Sequence, residues 1–163
     1  INTADDARKA VNAVKYPPVG TRGVGIARAQ GYGRNFDGYA SVINQESVVI
    51  AQIEHIDAVN NLEEIISVEG VDGCFIGPYD LSGSLGIPGN LTHKDVLAAL
   101  GEVERVCKKR KMPLGIHVVD PDISLMNKYI KAGYTLLAFS SDMLLLEKIC
   151  REKMTALSQV RRK

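Results

Sequence analysis

The sequence predicts an α/β fold, read either as about half of a (β/α)8 barrel or as a small open doubly wound sheet. Three observations carry this. Four short runs, Val48–Ala51, Cys74–Ile76, Leu114–Val119 and Leu136–Phe139, are apolar without polar alternation. That pattern fits parallel strands buried on both faces. Each run is followed by a turn and a helical pattern, and strict β-α alternation implies a parallel sheet with right-handed crossovers. The first two runs lead into acids, Glu54 and Asp80. The carboxyl ends of such strands are where α/β folds bind ligands. Four strands cannot close a barrel that needs eight.

In chain order, Ile1-Asn2 reads as the tail of a finished strand. Thr3 and Asp6 form a capping box. Ala7, Ala10, Val11 and Val14 then follow at i, i+3, i+4, i+7, so residues 4–15 are an amphipathic helix that Tyr16-Pro-Pro18 stops. Residues 19–47 are glycine-rich and without a sustained period, and are expected as a long loop. Arg22, Arg28 and Arg34 lie in it, either to set a guanidinium over an anionic substrate or as solvated charges on a crossover. After the first strand, residues 57–68 form a helix with Val59, Leu62, Ile65 and Ile66 on one face, closed by Gly70. In the stretch Gly77 to Gly86, glycines and a proline just past a strand let backbone approach a ligand closely and point N–H groups at an anion. Thr92 and Asp95 cap a helix whose buried stripe is Val96, Leu100, Val103 and Cys107, and Lys108–Lys111 is a solvated basic end. Residues 124–132 form a helix stopped by Gly133. Met143 to about Val160 is the last helix, with a wide apolar face through Leu146, Ile149, Met154 and Leu157. Arg161–Lys163 are expected to fray.

Composition narrows the class. The 163 residues are 45% hydrophobic and 24% charged with a net charge of +1, so nothing argues for nucleic acid or an anionic membrane as partner. No apolar stretch approaches the ~20 residues needed to span a bilayer, and the N-terminus is no signal peptide. Cys74, Cys107 and Cys150 read as buried free thiols of a reducing compartment, the cytoplasm. Neither a nucleotide-binding glycine fingerprint nor a Walker loop follows a strand.

Glu54 and Asp80 admit two readings. Brought to one mouth, two carboxylates suit a hard divalent cation; alternatively each caps the helix behind its strand. The wording around them decides. Asp6-Ala-Arg-Lys-Ala-Val, Tyr16-Pro-Pro-Val-Gly-Thr-Arg-Gly23, Gln52-Ile-Glu54 and Glu69-Gly-Val-Asp-Gly-Cys-Phe-Ile-Gly-Pro-Tyr-Asp-Leu-Ser82 resemble the HpcH/HpaI class II pyruvate aldolases. The resemblance runs over essentially the whole chain, and the spacing of Glu54 and Asp80 agrees with that of the family's metal ligands. It implies a single domain, residues 1–163, forming the C-terminal half of a (β/α)8 TIM barrel in a homo-oligomer. It further implies aldol cleavage of a 4-hydroxy-2-oxo acid to pyruvate and an aldehyde. By the same resemblance Glu54 and Asp80 hold Mg²⁺, Mn²⁺ or Co²⁺ and Gln52 contacts the pyruvyl group. Gly77, Pro78, Tyr79 and Leu81 would line the substrate site.

In such chemistry the metal polarises the keto oxygen of a chelated 2-oxo acid. No lysine is placed for a Schiff base. The family's general-base histidine and pyruvate-binding arginine fall upstream of anything matching Ile1, so no catalytic residue is assigned in this chain. His55 follows Glu54 and is read as structural, pointing away from it. His117, mid-strand at a possible barrel interior, is read as a satisfied or supporting histidine rather than a catalytic one, and His93 as exposed. Two other readings stand beside the aldolase: a citryl or malyl thioester lyase, which would need a coenzyme A pocket, and a non-catalytic remnant.

Overall fold

The computed structural model describes residues 1–160; the expected fraying of Arg161–Lys163 lies outside the described residues. Helix α1 spans Ala4–Val14, with the reciprocal capping box of Thr3 and Asp6 in place. Strands β1 (Ile50–Ile53), β2 (Gly73–Ile76), β3 (Leu114–Val118) and β4 (Leu136–Phe139) form one parallel sheet in sequential order. Short helices α3 (Ile56–Asn60) and α4 (Leu62–Ile65) follow β1, and α5 (Pro78–Ser84) and α6 (Lys94–Arg110) follow β2. Helices α7 (Ile123–Ala132) and α8 (Asp142–Val160) follow β3 and β4.

The core lies between the sheet and its helices. On β1 to β3, Ala51, Ile53, Cys74, Ile76, Leu114, Ile116 and Val118 all turn to the helix side and are buried. They meet the stripe of α6 formed by Val96, Ala99, Leu100, Val103, Val106 and Cys107, together with Ala58, Leu62 and Ile65. The Cys107 thiol beside it, together with burial, pushes the Cys74 thiol up. At the far end of α6 the hydroxyl of Tyr134 donates to Glu104 at 2.8 Å, and burial beside that carboxylate raises the phenol well above its usual range.

Five expectations are corrected. The strands are not buried on both faces: residues that alternate with the core set, Ile50 (43% exposed) and Leu136 (40%) among them, form an open face. All the packing helices lie on the other side. Residues 19–47 are not a structureless loop, because a 3-10 turn at Arg28–Gln30 and a helix α2 at Phe36–Glu46 occupy them. Lys15 secures α2, its ammonium donating to the carbonyls of Asn44 and Ser47 at 2.6 and 2.9 Å, where a cation complements the helix dipole. Asn44 exchanges hydrogen bonds with the backbone of Tyr16. The expected helix over 57–68 is two pieces broken at Asn61. The cap of α6 is His93, which accepts from the amide of Asp95, not Thr92. Cys150 is exposed on α8, whose apolar residues Met143, Leu146, Ile149 and Met154 also stand open.

Gly115 shows how tightly the sheet is drawn. A Cβ there would sit 2.6 Å from both the Leu136 carbonyl and the Phe75 ring. Gly115→Val is therefore expected to destabilise the chain by about 1–3 kcal/mol in urea unfolding; a midpoint equal to wild type would show that the sheet has more slack than this.

Candidate active site

The site is built on the ends of β1 and β2. Gln52, exposed on β1, and Glu54, half-buried just past its end, point to the same face, and the Gln52 amide donates to the Glu54 carboxylate at 2.5 Å. Beside them on the next strand is Gly77. A Cβ at Gly77 would come within 2.8 Å of Glu54 Oε2 and 3.3 Å of Gln52 Nε2. The bare Cα of Gly77 is what lets the Glu54 carboxylate lie across the strand end. The Gly77 amide still donates to the Ile53 carbonyl at 3.2 Å, so the parallel ladder holds the two residues side by side.

Asp80 is not at a strand end but in the first turn of α5. Pro78 opens that helix, where its fixed φ and missing N–H are no cost. Gly77 to Ser84 is thus a cap and a short helix. Neither acid is a helix cap: His55 accepts from the Asp57 amide at the start of α3, and Gly77 occupies the cap of α5. The capping reading of Glu54 and Asp80 falls. Both carboxylates line one cleft of about 500 Å³, shared with Asn2, His55 and Ser84. Tyr79 turns the other way, into a cleft of about 240 Å³ with Asp120, Lys148 and Arg151. A larger groove, about 780 Å³, lies at the opposite end of β3 and β4, around Met112–Leu114 and Thr135, away from both acids.

The rest of the motif braces α5. Leu81 is 0% exposed and packs in the core, so its side chain is turned away from the cleft where the resemblance would have it line the substrate site. The Ser82 hydroxyl donates to the Tyr79 carbonyl at 2.6 Å and accepts from the Gly89 amide at 2.8 Å. The Ser84 hydroxyl accepts from Ile56 at 3.0 Å, tying α5 to α3. Arg22 is not poised over the cleft: its guanidinium stacks 4.8 Å above the Tyr16 ring and donates to the Tyr39 hydroxyl. Arg28 and Arg34 are exposed. His93 is half-buried rather than exposed. On β3, the Nε2 of His117 lies 3.1 Å from the Ser140 carbonyl.

Among the described residues no group of three or more histidine, cysteine or acidic side chains could hold a metal. Two carboxylates in one cleft, over a glycine that leaves the space free, fit a hard cation that keeps several positions for water and substrate oxygens, as Mg²⁺ does. Glu54 and Asp80 are the residues that would hold it, with the Gln52 amide fixing the Glu54 carboxylate.

The HpcH/HpaI aldolase/citrate lyase family model matches residues 1–148. A 2-dehydro-3,6-dideoxy-6-sulfogluconate aldolase of Pseudomonas putida is 42% identical over 158 residues, 96% of this chain and 61% of the relative. A hydroxypyruvate/pyruvate aldolase of Sagittula stellata is 43% identical over 143 residues, 87% of this chain and 55% of the relative. In structure, an HpcH/HpaI aldolase/citrate lyase family protein of Burkholderia cenocepacia superposes with a TM-score of 0.88 at 36% identity, covering 99% of this chain and 62% of that one. The chain thus spans a little over half the length of these relatives.

Gly77→Ala tests the cradle directly. The added methyl is expected to displace the Glu54 carboxylate and weaken Mn²⁺ binding by about tenfold or more, as changes that disorient a ligand do. Calorimetric titration alongside an unchanged thermal melt checks it; wild-type affinity would show that Glu54 does not depend on the bare strand end.

Proposed function

We propose that this chain, which belongs to the HpcH/HpaI aldolase/citrate lyase family, supplies the metal- and pyruvate-binding part of an aldolase that cleaves a 4-hydroxy-2-oxo acid to pyruvate and an aldehyde. The observation that supports it most is the convergence of Gln52, Glu54 and Gly77 at the ends of β1 and β2, with Asp80 lining a cleft with Glu54. Curated relatives named as aldolases support the reaction class.

In this reading each residue has a task. Glu54 and Asp80 hold Mg²⁺, Mn²⁺ or Co²⁺. When bound, that ion polarises the 2-oxo group and offsets the negative charge that C3–C4 cleavage leaves on its oxygen. Gln52 keeps the Glu54 carboxylate in place and turns its amide toward the pyruvyl end of the substrate. The backbone of Gly77, Pro78 and Tyr79 gives the substrate a close wall, the Tyr79 side chain being turned into the neighbouring cleft. Phe75 is paired with Gln52 in the same row of the sheet. Leu81 acts by anchoring α5.

The chain works, in this reading, as a homo-oligomer in the cytoplasm. The apolar face of α8 is the surface offered to a second copy, since a contiguous exposed apolar face marks an interaction site. No helix among the described residues is long and apolar enough to cross a membrane.

Two measurements test the reading. Glu54→Gln and Asp80→Asn are each expected to abolish Mn²⁺ binding in calorimetry and any pyruvate-forming activity, while leaving the thermal melt in place. Binding that survives both changes would contradict the assignment. Leu146→Glu with Ile149→Glu is expected to lower the mass seen by light scattering, and an unchanged mass would remove α8 from the interface.

A further inference from the structure

Two thiols in the core have no part in the candidate active site. Cys74 lies on β2 and Cys107 on α6, and each is 1% exposed. In the sheet register Cys74 stands between Ala51 and Leu114, a row that turns wholly toward the helices. Cys107 ends the buried stripe of α6. The backbone ties the two together. The Cys107 carbonyl accepts from the Met112 amide at 2.9 Å, and the Pro113 carbonyl accepts from the Cys74 amide at 2.9 Å. The dipeptide Met112-Pro113 thus spans from one cysteine to the other. Side by side across the seam of helix and sheet, each thiol alters its neighbour. The Cys74 thiol holds Cys107 below the usual thiol range, while Cys74 itself is raised.

Buried cysteines are usually inert because nothing reaches them. Cys107 differs in its position. It lines the groove of about 780 Å³ at the end of the sheet opposite Glu54 and Asp80, with Met112 and Pro113 beside it. Arg105, Lys108 and Lys111 line the same groove. Cations near a thiol favour the thiolate, which is the reacting form. Glu104, which shares the groove, already accepts the Tyr134 hydroxyl at 2.8 Å. A small oxidant therefore has a way to Cys107. Cys74 lies behind it, in the sheet, where only its neighbour's sulfur is at hand to react with.

We propose that Cys74 and Cys107 form a reversible oxidation site, in which a hydroperoxide entering by the groove converts the two thiols into one disulfide that pins α6 to β2. The Cys107 thiolate attacks a peroxide oxygen and breaks the O–O bond, giving a sulfenic acid and hydroxide. The Cys74 sulfur then attacks the Cys107 sulfur. The S–S bond forms, and the sulfenic oxygen leaves as water with the Cys74 proton. With hydrogen peroxide, two thiols and one peroxide give one disulfide and two waters, the two electrons lost by sulfur reducing the peroxide. The site is separate from the strand-end cleft and stands independently of the aldolase reading. Its bond would stiffen β2, the strand that leads to Gly77.

The test uses the full chain carrying Cys150→Ser, so that the exposed third thiol cannot pair between molecules. After exposure to millimolar hydrogen peroxide, the intact mass is expected to fall by two hydrogens. Peptide mapping without reductant should join the Cys74 peptide to the Cys107 peptide, and dithiothreitol should restore both thiols. The thermal midpoint of the oxidised chain is expected to rise by about 5 °C or more, because the crosslink closes a long loop. A mass that rises by oxygen atoms without joined peptides, or two thiols that persist, would overturn the proposal. An unchanged midpoint would overturn the pinning of α6. A second arm tests the order of reaction. Under peroxide with dimedone, which traps sulfenic acids, Cys107 in the Cys74→Ala chain is expected to be labelled, and Cys74 in the Cys107→Ala chain to stay reduced. Labelling of Cys74 instead would overturn the route through the groove.

Discussion

The ladder between β1 and β2 is the constraint on which the rest depends. It sets Glu54 beside Gly77, and because Gly77 has no Cβ the carboxylate can lie over the neighbouring strand. Shift the register by one residue and every side chain changes face; Glu54 would turn toward α3 and Gln52 into the core. The buried partners Ile53 and Ile76, both 0% exposed, hold that register by their place in the core. Asp80 is added from a different element, and the bracing of α5 explains how. Leu81 fixes the helix to the core, Ser82 ties its first turn to the loop at Gly89, and Ser84 ties its end to α3. A motif that looks like a run of ligand contacts is mainly a bracket for one carboxylate.

The sheet buries one face and leaves the other for chemistry. Rigid positioning comes from the helix side, where α6 packs Val96, Val103 and Val106 against three strands. Gln52, Glu54 and Gly77 then stand on strands that cannot move independently, which is how sites gain precision. The same one-sidedness leaves Ile50, Leu136 and the face of α8 open, a liability that natural sheets cover with protein. In the proposed reading function and assembly are linked: the face that carries Gln52 and Glu54 also carries the exposed Ile50 and Leu136.

Much of this was legible in the residues. Strand and helix order follows from unalternating apolar runs and from 3.6-residue periodicity, and β4 begins and ends where the apolar run does. The α1 cap was readable from Thr3 and Asp6 because the capping box is local chemistry. Helix α2 was hidden because Gly38 sits inside it and glycines crowd the stretch before it, although Phe36, Tyr39, Ala40 and Ile43 keep a helical period. What holds it, the Lys15 ammonium on its last carbonyls, is a contact between residues about thirty positions apart that no local pattern shows. The two acids were visible as candidates, but spacing alone left ligand and cap level; the cap positions of His55 and Gly77 remove the capping reading. His117 was visible as a mid-strand histidine. Its contact with the Ser140 carbonyl was not, since that depends on the left-handed backbone of Ser140 past the end of another strand.

Diffraction from crystals grown with Mn²⁺ and pyruvate, with anomalous data to locate the ion, tests the central claim most directly. The account predicts one manganese in the strand-end cleft, with a carboxylate oxygen of Glu54 and one of Asp80 each at about 2.2 Å, a distance typical of such oxygen sites, and the pyruvate carbonyl facing Gly77. A manganese peak bound by only one of the two acids, or lying away from Gly77, would contradict it.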